Sequence, residues 1–226
     1  MKAGNCPYSG PEDLPSVIPV FPLPGALLLP RSELPLNIFE PRYVAMIDAA
    51  LAGERIVGMI QPDEAKSPCS LGPSLCKVGC AGRITSFAET GDGRYMVTLT
   101  GIARFVIVEE VVTNTLFRQC RVSAVSFGVD FASDIDESDV DRGSVLKTFR
   151  EYLEAHNLEA DWDSVGRASN EMLINALAMM APFGAAEKQA LLEAPDLRAR
   201  AETLVALTEM SLARDPGGGS ARRSIQ

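Results

Sequence analysis

The chain changes character near residue 130, where charge and hydrophobic periodicity both switch. Residues 1–129 carry 11 basic and 12 acidic side chains, whereas residues 130–226 carry 10 and 18. Pro and Gly divide the first part into short alternating segments, and the second part repeats apolar residues at intervals of three and four. A uniform all-helical or all-β architecture is therefore excluded, and we predict an α+β fold.

The first part predicts a small, closed or nearly closed β-barrel over residues 17–129, after an N-terminal extension at 1–16. Ile18–Gly25 contains four Pro and Gly residues in eight, which excludes a helix and suits an edge strand entering a turn. Asp92-Gly93 supplies the positive-φ positions of a hairpin. The strands predicted around and after this hairpin are Arg83–Ala88, Arg94–Thr100, Arg104–Val108 and Phe117–Phe127.

Helices are predicted in both parts of the chain. In the first part, an isolated helix inside the barrel region begins at Pro41 and ends near Gly53. Residues 130–143 are rich in Asp and Glu and predict a solvated acidic connection, which precedes a bundle of about four helices at 144–214. Residues 215–226 have the Pro, Gly and Ser content of a flexible tail.

Composition and charge exclude several classes of protein. The net charge of −9 and pI of about 4.7 disfavour a polyanionic partner such as nucleic acid. The chain shows neither a secretory signal nor an apolar run of the ~20 residues that a membrane span needs, so we expect a cytoplasmic protein that does not enter a membrane. Five cysteines, without a repeated CxxC, predict free thiols rather than disulfides or a zinc site.

The motifs of common enzymes are absent. The sequence contains no GxxxxGK[ST], GxSxG, HExxH or GxGxxG, and it has a single His. Ser144-Val-Leu-Lys147 matches the S-x-x-K of Ser-Lys nucleophile pairs, but the partner motifs are missing, so we interpret it as solvated helix surface. We therefore predict no catalytic residues, no metal and no cofactor.

Two clusters stand out as candidate binding or positioning residues. Four leucines lie in the Pro- and Gly-punctuated loop Leu23–Pro30, where regular alternation cannot bury them all, so either they line an exposed groove or the loop covers the barrel mouth. Glu40 and Arg42 bracket Pro41, and Arg104 is a further candidate partner for an ion pair that fixes the helix to the barrel. The residues predicted to contact a bound peptide are Leu23, Leu27, Leu28, Leu29, Phe39 and Tyr43.

Several blocks of residues occur in the order and spacing of one known family. They are Ile18–Gly25, Leu34–Tyr43, Val78–Ile84, Asp92–Tyr95 and Gly101–Phe105. With these blocks, the chain from about Val17 to Leu212 resembles the amino-terminal domain of Lon proteases, as a stand-alone protein without ATPase or protease modules. The resemblance implies a PUA-like β-barrel followed by a helical bundle.

The resemblance also implies a function. In the full protease this domain is linked to substrate recognition and assembly, and it supplies no catalytic residue. We therefore expect a non-catalytic protein that binds exposed polypeptide segments of clients or partners in protein quality control, and a homo-oligomer is compatible with this. The alternative is an RNA-binding module, because other PUA-like barrels bind RNA; the dispersed arginines of residues 1–129 give it little electrostatic support.

Overall fold

The computed structural model describes residues 1–67, 72–132, 137–156 and 158–214. The chain divides into two compact units: the first holds Met1–Ile135 and Met179–Glu193, and the second holds Asp136–Ala178 and the residues from Ala194 onward. The α+β class is confirmed, since a mixed six-stranded sheet is combined with helices. Within the described residues, no helix is both long and apolar enough to cross a bilayer.

Five strands of the first unit close into a barrel. The sheet order is β4-β7-β6-β5-β3-β8, and a further pairing of β8 with β7 completes the ring. Among the strands of the described residues, β3 and β5 form the one parallel pair. A short hairpin of β1 (Lys2–Ala3) and β2 (Cys6–Pro7) precedes these strands. The six strands of the sheet are β3 Val17–Pro22, β4 Glu33–Ile38, β5 Ile56–Pro62, β6 Leu75–Glu89, β7 Tyr95–Val111 and β8 Arg118–Ser123.

The strand β7 pairs with different neighbours at its two ends. Its first residues, Tyr95 to Thr100, pair with β4, and its last residues, Val106 to Val111, pair with β8. The prediction of separate strands at Arg94–Thr100 and Arg104–Val108 is therefore wrong, because the chain continues through Gly101. The strand predicted at Phe117–Phe127 is also shorter, since β8 ends at Ser123 and a 3-10 turn covers Val125–Phe131.

A three-stranded extension, which we call the wing, projects from the barrel. It consists of β4, the end of β6 from Ile84 and the start of β7 up to Thr100. The predicted helix is confirmed as α1, Pro41–Ala52, with Pro41 in its first turn and Gly53 at its end. Side chains of one wing face, including Ile38, Val97 and Leu99, are buried.

Two glycines, one in β6 and one in β7, allow the leucine-rich loop Leu23–Pro30 to pack into the core. A Cβ at Gly101 would lie 2.0 Å from the carbonyl oxygen of Leu29, and a Cβ at Gly82 would lie 2.6 Å from a methyl group of Leu28. Both distances are below van der Waals contact, so only glycine permits this approach. The loop is thereby packed directly against the strand backbones, with Leu28 and Leu29 fully buried.

The second unit contains most of the helices. The described residues after 141 form five helices, whereas about four were predicted. The fourth of them, α5, belongs to the barrel unit and not to the predicted helical bundle. The tail predicted at 215–226 lies outside the described residues, as do parts of the acidic connection. The helices are α2 Arg142–Ala155, α3 Trp162–Arg167, α4 Asn170–Met180, α5 Ala185–Glu193 and α6 Leu197–Arg214.

The close approach at Gly101 gives a stability prediction. Gly101→Ala places a methyl group against the backbone of Leu29, and we expect it to lower the free energy of unfolding by about 1–3 kcal/mol, as overpacking does. Gly128→Ala is the matched control, because no atom lies within 4 Å of its added Cβ. Urea unfolding measures both, and equal midpoints for the two variants contradict the close packing of the loop on β7.

Candidate functional site

The outer face of the wing is an exposed sheet surface whose middle rows carry uncharged side chains. Because paired residues of neighbouring strands share a face, the register places Asn37, Met96 and Ala88 in one row and Pro35, Thr98 and Ser86 in the next. Phe39 directly follows the last residue of β4, and extending the strand alternation by one residue assigns it to the same side as Asn37. We call this surface the wing face: Pro35, Asn37, Phe39, Ser86, Ala88, Met96 and Thr98.

The two largest apolar side chains of the wing face are open to solvent. Phe39 is 62% exposed and Met96 is 46% exposed. The charged residues of the same face lie at its ends: Glu33 and Arg83 are both paired with Thr100, and Arg94 precedes β7 two residues before Met96. The N-terminal hairpin approaches the Thr100 end, since a Cβ on Gly4 would lie 3.2 Å from Thr85. The wing face therefore offers apolar contact area bordered by hydroxyl and amide groups.

One side-chain hydrogen bond joins the opposite face of the wing to α1. The Tyr95 hydroxyl donates a hydrogen bond of 3.0 Å to Asp48 of α1. This bond to Asp48 raises the pKa of Tyr95, with burial as a smaller cause. Phe87 packs edge-on against Tyr95, with ring centroids 4.9 Å apart. The surface presented to solvent is thus backed by packed side chains on both β6 and β7.

The free edge of the wing is less suited to binding than its face. Strand β4 pairs only with β7, so alternate backbone groups of β4 point away from the sheet. The amide of Gly101 donates to the carbonyl of Ser32, so the backbone N–H and C=O groups of the even-numbered residues of β4 point toward β7. The backbone groups of Glu33, Pro35 and Asn37 therefore point to the free edge. Pro35 has no N–H to offer there, which interrupts pairing with an added strand.

The leucines predicted to bind a peptide are mostly inaccessible. Leu27, Leu28 and Leu29 are 3%, 1% and 0% exposed, so their prediction as an exposed groove is wrong. The reason is the glycine contacts of β6 and β7 together with Gln61, which accepts a hydrogen bond from Gly25 and donates one to the carbonyl of Ala26. Leu23 is half-buried. This burial agrees with the alternative prediction, in which the loop folds over the barrel.

The two aromatic residues predicted to contact a peptide, Tyr43 and Phe39, lie in different environments. Tyr43 is 7% exposed and stacks on Phe21 with centroids 4.1 Å apart, so it belongs to the core and its prediction as a peptide contact is wrong. Burial raises the pKa of its hydroxyl. Phe39, four residues earlier, remains exposed and is the predicted contact that the structure leaves available. A bound segment would thus meet Phe39 but not the leucine loop.

The predicted ion-pair residues form two unrelated pairs. Glu40 and Arg42 contact each other at 2.7 Å in an exposed position, and Arg104 is not their partner. Arg104 instead forms a bidentate pair with Asp130, with Nε and Nη2 2.9 and 2.8 Å from its carboxylate oxygens. Asp130 is 4% exposed, so its prediction as part of a solvated connection is wrong.

Several arginines of the barrel unit are matched locally by carboxylates. Besides the two pairs above, Arg118 contacts Glu110 at 2.5 Å and Arg121 contacts Glu109 at 2.8 Å. Paired guanidinium groups contribute little to an attraction for phosphate. Within the described part of the chain, no group of three metal-binding side chains is found; Cys69 lies outside it.

The fold places the chain among α+β proteins in which a small barrel precedes a helical unit. The chain belongs to the family of the ATP-dependent protease La (LON) substrate-binding domain, whose family model matches residues 17–209. A Lon protease of Anaeromyxobacter dehalogenans is 25% identical over 207 residues, which are 87% of this chain and 23% of the relative. The chain therefore spans about a quarter of the length of such relatives.

Two solved structures share the fold. The chain aligns with a Lon N-terminal domain protein of Xanthomonas campestris at 21% identity and TM-score 0.58, covering 84% of this chain and 97% of that one. It aligns with the N-terminal domain of Mycobacterium avium complex Lon protease at 19% identity and TM-score 0.61, covering 85% and 98%. These matches extend the fold assignment across both units.

Sequence reasoning missed Met96 and its neighbours as candidate contacts. Their signal was present in the alternation of Tyr95, Val97 and Leu99 with Met96, Thr98 and Thr100, which indicates one buried and one open face. What the alternation does not indicate is that β4 lies beside β7 and adds Phe39 to the same surface. That juxtaposition depends on the long-range pairing of β4 with β7.

The buried pair predicts a large loss of stability on truncation. Asp130→Ala leaves the Arg104 guanidinium buried without its carboxylate, and we expect the free energy of unfolding to fall by about 3–5 kcal/mol. Glu40→Ala, which breaks the exposed pair, is expected to cost less than about 1 kcal/mol. Chemical denaturation compares them, and the double variant Arg104→Met/Asp130→Ala should recover part of the loss. Similar costs for Asp130→Ala and Glu40→Ala contradict this assignment.

Proposed function

We propose that the chain binds exposed polypeptide segments of other proteins through the wing face, as a non-catalytic recognition module acting in protein quality control. The observation that carries the proposal is the exposure of two apolar side chains, Phe39 and Met96, which the strand register and alternation assign to one sheet surface. Membership in a substrate-binding family supports it. Segments that expose apolar residues, as unfolded proteins do, are the expected clients.

The wing face favours weak and exchangeable binding. Full burial of a Phe or Met side chain contributes about 1.5–3 kcal/mol, and these two are already partly covered. Association costs several kcal/mol in lost translational and rotational freedom, which removes much of the gain. Hydroxyl and amide groups from Thr98, Ser86 and Asn37 supply hydrogen bonds to a client backbone without demanding one sequence. Low sequence specificity follows from this chemistry.

Binding without a reaction of its own is part of the same proposal. In the S-x-x-K segment, the Lys147 side chain is 77% exposed and lies 3.9 Å from Glu151, so its amine is solvated rather than buried beside a nucleophile. Ser144 belongs to the first turn of α2, where its amide donates to Asp141. An activated Ser-Lys pair needs a desolvated amine, and this environment does not supply one.

The experiment that tests the proposal is a titration of fluorescently labelled casein, a largely unfolded protein, followed by anisotropy. We expect Phe39→Ser/Met96→Ser to weaken binding by about tenfold or more, because both apolar contacts are removed. The matched control is Val112→Ser/Leu116→Ser, which replaces side chains 89% and 72% exposed elsewhere on the same unit. Circular dichroism confirms that each variant is folded.

Two outcomes contradict the proposal. Unchanged casein binding in Phe39→Ser/Met96→Ser removes the wing face as the site, and equal weakening by the control indicates unspecific apolar adhesion. Changes at Leu27 or Leu28 do not test binding, because those side chains are in the core and their replacement disrupts the fold.

A further inference from the structure

The second unit carries a groove that the wing face does not involve. It has a volume of about 540 Å³ and lies between the beginning of α2 and the side of α6. Its apolar floor is formed by Val145 of α2 and by Ala201 and Val205 of α6, whereas Ala206 lines the groove from an exposed position. Ala201 and Val205 are four residues apart, so they lie on one face of the helix at successive turns.

The rim of this groove is acidic. Asp139 and Asp141 border it on the α2 side, and Glu202 and Glu209 border it on the α6 side. Among the described lining residues, the cation is Arg198, whose Nε lies 2.9 Å from Glu202. Asp141 accepts a hydrogen bond from the amide of Ser144 as the cap of α2. Four carboxylates thus face one guanidinium, which is already engaged, and the groove retains negative charge.

The geometry points to a docking site for a basic amphipathic helix of a partner protein. Such a helix places apolar side chains on the floor and Lys or Arg side chains against both rims. The groove follows α6 from Arg198 to Glu209, which at 1.5 Å per residue corresponds to about 17 Å, or about three helical turns. A short helix with one apolar and one basic face matches this length, floor and charge.

The charge of the unit as a whole favours the same partner. The described residues of this unit carry 12 acidic and 7 basic side chains, so a basic segment is attracted before contact. An acidic or neutral apolar helix has the floor contacts without the rim contacts. The proposal goes beyond the binding of unfolded clients, because it concerns another surface and a partner of defined charge.

The test uses the full chain and a labelled helical peptide of about five turns, with Leu on one face and Lys on the other. We expect saturable binding by anisotropy, weakened about tenfold between ~0.05 M and ~0.5 M salt. The same peptide with Glu in place of Lys should not bind. Glu202→Gln/Glu209→Gln should weaken binding of the Lys peptide about tenfold by removing rim charge.

The matched control is Glu151→Gln/Glu154→Gln, which removes two exposed carboxylates of α2 that do not line the groove. It should leave binding within about twofold of the unmodified chain, since distant surface charges are screened. Ala206→Gln fills the groove without changing its charge and should weaken the complex. Equal weakening by the control and the rim variant indicates general attraction to an acidic unit and overturns the proposal.

Two further arms distinguish a partner in the groove from binding at the wing face and from occupation by this chain's own C-terminus. Phe39→Ser/Met96→Ser should retain Lys-peptide binding, and loss in that variant moves the contact to the wing face and overturns the groove. A chain ending at Arg214 should bind the peptide like the full chain. Binding that occurs only after removal of residues 215–226, which include Arg222 and Arg223, assigns the groove to this chain's own basic pair and overturns the assignment to a partner.

Discussion

The buried pair of Arg104 and Asp130 is the constraint on which the barrel unit depends. Its guanidinium also lies 4.6 Å from the ring of Phe127 and donates to the carbonyl of Leu192 at the end of α5. One side chain of β7 therefore joins the 3-10 turn after β8 and the helix that returns to this unit. Burying both charges is costly, so the pair is retained only while its hydrogen bonds are all made.

The candidate site results from how the leucine-rich loop is accommodated. Gly82 and Gly101 let Leu28 and Leu29 reach the strand backbones, so the most apolar loop of the sequence becomes core. Exposed apolar area then remains on the wing, whose opposite face is joined to α1 by the Tyr95–Asp48 hydrogen bond. A surface of sheet side chains is more rigid than a loop, which would reduce the entropy lost on binding at the proposed site.

Much of the fold could be predicted from the sequence, because its signals are local. Pro41 and Gly53 mark α1, and Gly93 adopts the predicted positive φ, whereas the other positive-φ residue of this hairpin is Gly91 and not the predicted Asp92. The burial of the leucine loop could not be derived, since it depends on glycines more than fifty residues away in the sequence. The acidic composition around Asp130 likewise predicts a solvated side chain. Its burial depends on the tertiary position of Arg104, with which it forms an ion pair in the interior.

The continuity of β7 links recognition to the barrel itself. Its 17 residues run without a break from the wing to the ring closure with β8. A strand shared in this way cannot detach from the wing without disturbing the hydrogen bonds of the ring. If a polypeptide binds at the wing face as proposed, a pull that displaces β7 must also break hydrogen bonds of the barrel, so the site and the ring are coupled through one strand.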